Sequence, residues 1–171
     1  MEPTVLYGEA PHSHDEVYLV QNPALGAILM WEFVKGFVRQ SSGRLPELPL
    51  LFIVLPTVLN ERIRTAMSGT NPSSGLRLFT AKFSKDQEVL LALQRRMLML
   101  RPISLSSLSI GIESGLLSLD VTTASVGCTI KRYPPKTRLA IRELGKHADK
   151  LGAWCGLLTL QEVQAALRIG F

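Results

Sequence analysis

Cysteine is nearly missing from this chain. Cys128 and Cys155 stand alone, no CxxC spacing joins them, and the opening "MEPTVLYGEAPHSHDEV" has neither the basic start nor the apolar run of a secretory signal. A disulfide-stapled extracellular scaffold is excluded. The expected compartment is the reducing cytoplasm, and each thiol reads as a small buried hydrophobe rather than a nucleophile. Charge is scarce as well: 19% of the residues are Asp, Glu, Lys or Arg, against a usual share of about a quarter, while 46% are hydrophobic and the mean hydropathy is +0.19. That balance excludes a disordered chain and leaves apolar material for a core and for a partner-facing surface. A length of 171 residues suits one domain, or two small ones sharing a core.

An uncharged apolar run long enough for a membrane is also lacking. The densest stretch, "NPALGAILMWEFVKGF" at 22–37, is interrupted by Glu32 and Lys35 and ended by "RQSSGRLPE", whereas a bilayer span needs about 18 to 20 largely uncharged residues. Asn22 followed by Pro23 marks a helix start, an N-cap with proline at the first helical position. Glu32 and Lys35, three apart, can pair on one face. Because Leu25, Ile28, Leu29, Trp31, Phe33 and Phe37 leave little of the circumference polar, this helix (about 23–40) belongs in a core, either this chain's own or one shared with another chain.

Catalytic signatures are missing too. "GTNPSSG" lacks the Lys-Ser/Thr pair of a phosphate loop, and "GIESG" does not have the spacing of a nucleophile elbow. His12, His14 and Asp15 form at best a weak metal set in a terminal lead-in, and His147 lies on a basic helix with no acid or nucleophile beside it in sequence. The expectation is a protein that is not an enzyme and holds no cofactor or metal.

What is present is mostly helix, a mainly α (α+β) chain with a lead-in at 1–21, one short strand expected at "EVYLV", and a single domain at 22–171. "PLLFIVLPTVLNERIRTAM" reads as a helix broken at Pro56, with Asn60 capping the second piece. "LRLFTAKF" reads as a helix capped by Ser73 or Ser74. "DQEVLLALQRRMLMLR" reads as a helix opened by Asp86 and stopped by Pro102. "SLSSLSIGIESG" follows, with Ser104 as its cap and Gly115 just past its end. "LLSLDV" and "GCTIKRY" alternate like the arms of a hairpin. Helix, turn, helix and two-stranded hairpin is a winged-helix-like order within a compact helical domain. "KTRLAIRELGKHADKLGAWCGLL" is amphipathic, with Ile141, Leu144, Ala148, Leu151 and Trp154 inward. In "TLQEVQAALRIGF", Thr159 and Glu162 have the spacing of a capping box.

Charge is concentrated rather than spread. From Lys131 to Lys150 the chain carries seven bases and two acids, which equals the whole net charge of +5. Lys131, Arg132, Lys136, Arg138, Arg142, Lys146 and Lys150 are the candidate contacts to DNA or to an acidic partner. Arg138, Arg142, Lys146 and Lys150 recur every four residues along one helix flank. Trp31, Phe33 and Phe37 are the candidate apolar contacts to a partner subunit.

Taken together, "NPALGAILMWEFVKGF", "LPLLFIVLPTVLN", "ALQRRMLMLRPISLSSLSIGIESGLLSLD" and "KLGAWCGLLTLQEVQAALRIGF" resemble the middle component of three-component ABC systems, bacterial conflict systems that overlap with the Lamassu antiphage group. The likeness runs from Asn22 to Phe171 and includes the Gly-Phe ending. It implies a non-catalytic, kleisin-like adaptor in a cytoplasmic antiphage or anti-plasmid defence complex. Its implied partners are an SMC-like ABC ATPase and a separate effector, often a nuclease, with DNA met through the complex. The competing reading is a freestanding winged-helix regulator, but the second helix of the motif, "SLSSLSIGIESG", has no Lys or Arg to read a groove.

Overall fold

The computed structural model describes residues 21–129, 132–133 and 136–171. The strand expected at "EVYLV", the His12, His14 and Asp15 set, and Lys131 lie outside the described residues.

The first helix, α1 (Pro23–Gln40), starts as its sequence dictates: Asn22 is extended and its side-chain oxygen accepts from the Leu25 backbone N–H at 3.1 Å. A 3-10 turn (Leu48–Ile53) leads directly into the short α2 (Val54–Val58). Pro56 does not break the run, because it is the third residue of α2, in a first turn that needs no helical N–H donor. The break falls at Leu59 and Asn60, and Asn60 caps α3 (Glu61–Ser68) by accepting from the Ile63 N–H at 3.0 Å. A second 3-10 turn (Pro72–Ser74) precedes α4 (Gly75–Ala81). Ser73 and Ser74 do not cap α4; Asn71 instead accepts from the Ser73 N–H, one turn earlier.

Two helices, α5 (Glu88–Met99) and α6 (Arg101–Glu113), share Leu100 as the end of one and the start of the other. Asp86 does not open α5, since its carboxylate is paired with Arg62. Pro102 lies in the first turn of α6 rather than beyond a stop, so α6 begins earlier than its serines suggest, and Ser104 is buried inside it instead of capping it. At its far end Gly115, at φ +68°, gives its N–H to Ile112 and Leu116 gives its own to Gly111, a Schellman ending.

Strands β1 (Leu117–Asp120) and β2 (Ser125–Cys128) pair antiparallel, Leu117 opposite Cys128 and Asp120 opposite Ser125. The hairpin is not a free wing. The Leu48 N–H donates to Ala124 and the Val126 N–H to Pro46, so the segment before the first 3-10 turn covers the outer edge of β2. Leu117 and Val126 are buried, while Val121 at the tip is exposed.

The last two helices are α7 (Leu139–Gly156) and α8 (Leu160–Leu167). Thr159 and Glu162 form the expected capping box. The core sits where α1 lies between α7 on one side and α6 on the other. Glycines make this possible: a Cβ on Gly36 would overlap the Asp149 carbonyl, one on Gly152 the Phe33 carbonyl, and one on Gly26 the Ser107 hydroxyl. The α1 and α7 backbones therefore touch. Trp154 closes the opposite side of α7, its ring 5.1 Å from Phe79 and its indole N–H donating to the Pro72 carbonyl at 2.8 Å. Among the described residues the fold is mainly α with one small two-stranded sheet.

Candidate functional site

Trp31, Phe33 and Phe37 project from α1 into this chain's own core, at 2%, 0% and 1% exposure. Of the two places open to them, the core within the chain is where they lie, and Phe33 and Phe37 present almost no surface. Trp31 differs in one respect, because one side of it forms the floor of a pocket.

The pocket opens where the start of α7, the start of α1 and the loop after β2 meet. It encloses about 580 Å³, with Ile28, Trp31, Leu116 and Ile141 among its apolar lining and Arg132, Lys136 and Arg138 at its mouth. The three cations are exposed, and no acid lines the cavity. Tyr133 forms one wall. Its ring meets Trp31 edge-on, centroids 5.5 Å apart at 80°, and the Arg142 guanidinium lies 5.9 Å from its other face. Gly145 is small because the Tyr133 hydroxyl fills the space a Cβ would need. Burial first, and the neighbouring Glu32 carboxylate second, push the Tyr133 phenol well above its ordinary pKa, so it stays protonated.

Trp31 is locked from beneath. Its indole N–H donates to the Thr129 carbonyl at 2.8 Å, which also pins the loop after β2. Lys35 lies 4.1 Å over the indole ring and reaches both oxygens of buried Glu32 at 3.1 Å. The pocket floor is therefore rigid, and its rim is made of long flexible cations.

The remaining candidate bases go elsewhere. Lys146 pairs with Glu143 at 2.6 Å in solvent. Lys150 turns under the helix and donates to the Met67 and Thr70 carbonyls, both at 3.1 Å, tying α7 to the end of α3. Arg39 of α1 grips Asp149 through two bonds of 2.8 and 2.7 Å. The structure thus brings Arg132, Lys136 and Arg138 together with Arg142 close by, and separates Lys146 and Lys150 from them. Tyr133 was signalled by its place between bases in "KRYPPK", an aromatic among cations. Ile28 and Leu116 carry no such signal, because only the tertiary fold brings them to the pocket.

A second, smaller hollow of about 320 Å³ lies at the corner of α5 and α6, lined by Phe52, Leu98, Leu105 and the terminal Phe171. Gln94 holds that terminus by bonding both the N–H and the carbonyl of Gly170. Among the described residues no cluster of three His, Cys, Asp or Glu side chains could hold a metal ion. No helix among them is long and apolar enough to cross a membrane. Cys155 is fully buried and desolvation pushes its thiol pKa up; Cys128 is shifted the same way for the same reason.

A helical core thus carries a cation-rimmed pocket with an apolar floor. The chain belongs to the ABC-three component (ABC-3C) system Middle Component 3 family, whose model matches residues 12–171. The match begins about ten residues before the likeness seen from Asn22, and it covers the hairpin. No curated protein and no solved structure matches the chain. It is a middle component of a three-component ABC system, and it works with the other components of that system.

Proposed function

We propose that this middle component is a non-catalytic adaptor that joins an SMC-like ABC ATPase to an effector, in a cytoplasmic, Lamassu-like complex that acts against phage or plasmid DNA. Membership of the middle-component family over residues 12–171 is the observation that carries the reading. Two surfaces suit a protein with two partners: the cation-rimmed pocket at the start of α7, and the apolar corner of Leu98, Leu105 and Phe171 on another part of the molecule. DNA is met by the assembly rather than by a recognition helix of this chain. The outward face of α6 carries Leu105, Ser106, Ser109 and Ile112, and its one base is Arg101 in the first turn, so it has no row of cations to follow a DNA backbone. The hairpin that would serve as a wing is packed down by residues 46–48.

The test is co-expression with the ATPase and effector components encoded beside it. All three should elute as one complex, and omitting the middle component should leave ATPase and effector apart. If those two assemble and defend cells without it, the adaptor reading is wrong. Direct hydrolytic activity of the purified chain on nucleotide or nucleic acid would overturn its non-catalytic character.

A further inference from the structure

The pocket at the start of α7 combines two properties that few surfaces share. Its rim is cationic on several sides, with Arg132, Lys136 and Arg138 pairing with no acid among the described residues. Its floor is apolar and immobile, because Trp31 is held by the Thr129 carbonyl, by Lys35 and by the edge of Tyr133. Its volume of about 580 Å³ falls within the range of roughly 300–1,000 Å³ usual for sites that enclose a ligand.

Duplex DNA satisfies only the first property. Its phosphates can meet the rim, but a charged backbone has nothing to place on an indole and isoleucine floor, which would stay wet beneath it. An extended peptide with acidic residues on either side of one large apolar residue satisfies both, carboxylates on the guanidinium and ammonium groups and the apolar side chain below them. We infer that this pocket receives an acidic linear segment of another component of the system, anchored by one apolar side chain against Ile28, Trp31 and Ile141. The inference rests on the adaptor reading and names the chemistry of one of its contacts.

The probe is a set of short overlapping peptides tiled across the sequences of the ATPase and effector components, offered to the full chain. Captured peptides should be rich in Asp and Glu around a single aromatic or aliphatic residue, and capture should weaken with salt. The combined reversal Arg132→Glu, Lys136→Glu, Arg138→Glu should lower affinity about tenfold or more, on the scale of three partly exposed ion pairs. Ile141→Ser, with the rim intact, should also weaken capture, which simple charge adsorption would not do. Circular dichroism and thermal melting check that both variants fold. Capture unchanged by the triple reversal overturns the proposal. So does binding of mixed-sequence duplex DNA through the rim when no tiled peptide binds. A third overturning result involves the chain's own residues 1–20, which carry Glu2, Glu9, Asp15 and Glu16 and no Lys or Arg. If a peptide copying them binds the truncated chain through this rim while no tiled peptide binds either form, the occupant is the lead-in. The two readings fail separately: a wild-type chain that joins no component sinks the adaptor, whereas a triple variant that still assembles normally sinks only the pocket.

Discussion

The two ends of α7 show opposite uses of one helix. From Asp149 to Gly156 its small residues let it press backbone against backbone on α1, and the side chains between them fill the core. From Arg138 to Ile141 it does little packing and supplies the rim and part of the floor of the pocket. The four cations spaced along it are chemically similar, yet Arg138 faces solvent, Arg142 lies over Tyr133, Lys146 pairs with Glu143, and Lys150 binds carbonyls of another segment. The reason is geometric. At 3.6 residues per turn, each step of four overshoots by about 40°, so three steps carry the row roughly a third of the way round the helix. Equal spacing on a helix therefore defines a winding row, and its environment changes as it winds.

The sharpest way to break the tight end is to add a single methyl. Gly152→Ala would drive a Cβ into the Phe33 carbonyl, a backbone atom with nowhere to move unless α1 and α7 part. The expected cost is about 3 kcal/mol or more, at or beyond the upper end for overpacking. Denaturant unfolding should show it, or the variant should fail to accumulate. The same methyl at Gly170, which has nothing within 4 Å, should leave stability unchanged. Equal stability of the two variants would mean that α1 and α7 are not in backbone contact.

Trp31 belongs to both regions, core on one side and pocket floor on the other. Trp31→Ala removes a buried indole and its bond to Thr129, and should cost about 3 to 5 kcal/mol. Trp31→Phe keeps an aromatic floor but loses the N–H donor and part of the buried ring volume, which should cost less than the alanine change, about 1 to 3 kcal/mol. The second variant separates roles: if it folds and still captures the acidic peptide, the floor needs a ring and not the indole N–H.

How much of this was readable beforehand follows the range of each interaction. Asn22 with Pro23, Asn60, Gly115, and Thr159 with Glu162 mark helix ends correctly, because a cap is settled within a few residues. Asp86 and Ser104 have the right chemistry for caps but do other things. Asp86 is claimed by Arg62 from another helix, and Ser104 is overtaken by a helix that Pro102 can start a turn sooner. The basic segment from Lys131 to Lys150 contains the three cations that rim the pocket. It could not show that Lys150 would turn to Met67 and Thr70, since those carbonyls lie about eighty residues away. Nor could it show that Ile28 and Leu116 would join Tyr133 to make a pocket. The aromatic triplet on α1 is legible as buried, but whether its neighbour is the same chain or another depends on α7 returning against it.

The comparison along α7 can be measured with lysines alone. Lys150→Met removes two charge-assisted bonds to carbonyls that orient α3 and the following turn, and should cost about 1 to 2 kcal/mol, near the low end for charged donors because the side chain is partly exposed. Lys146→Met loses one exposed ion pair, and Lys136→Met on the rim loses none among the described residues. Each of these should stay within about 0.5 kcal/mol of the wild type. Thermal melting of the three variants ranks them directly. A Lys136 variant as unstable as the Lys150 variant would make the rim part of the packing instead of a binding surface.

The smallest effect comes from His147, midway along α7 where rim gives way to core. Its Nδ1 lies 2.8 Å from the Glu143 carbonyl and its Nε2 lies 2.8 Å from the Ser68 hydroxyl. A neutral ring fits both when Nδ1–H donates to Glu143 and Nε2 accepts from the Ser68 hydroxyl, whose single proton then turns away from the Arg64 carbonyl 3.1 Å from it. Burial, aided by the Lys150 and Arg64 cations, holds its pKa below the ordinary 6.5. The sign follows from proton uptake: as pH falls below 6.5 the unfolded chain takes up the proton first, so stability declines through the window between 6.5 and the lower folded value, and levels off once both states are charged. Asp120 and Glu162, held below their ordinary 3.8 and 4.5 mainly by backbone N–H donors from Thr122 and Thr159, begin to lose their contributions only below those values, whereas the His147 decline begins at 6.5. His147→Gln, which keeps an amide near Ser68 but cannot titrate, should flatten the decline just below 6.5 and leave the acid limb unchanged. Melting temperatures across that range decide it. An unchanged slope in the variant would mean that His147 titrates alike in the folded and unfolded chain, and that this middle stretch of α7 is as open to water as its rim.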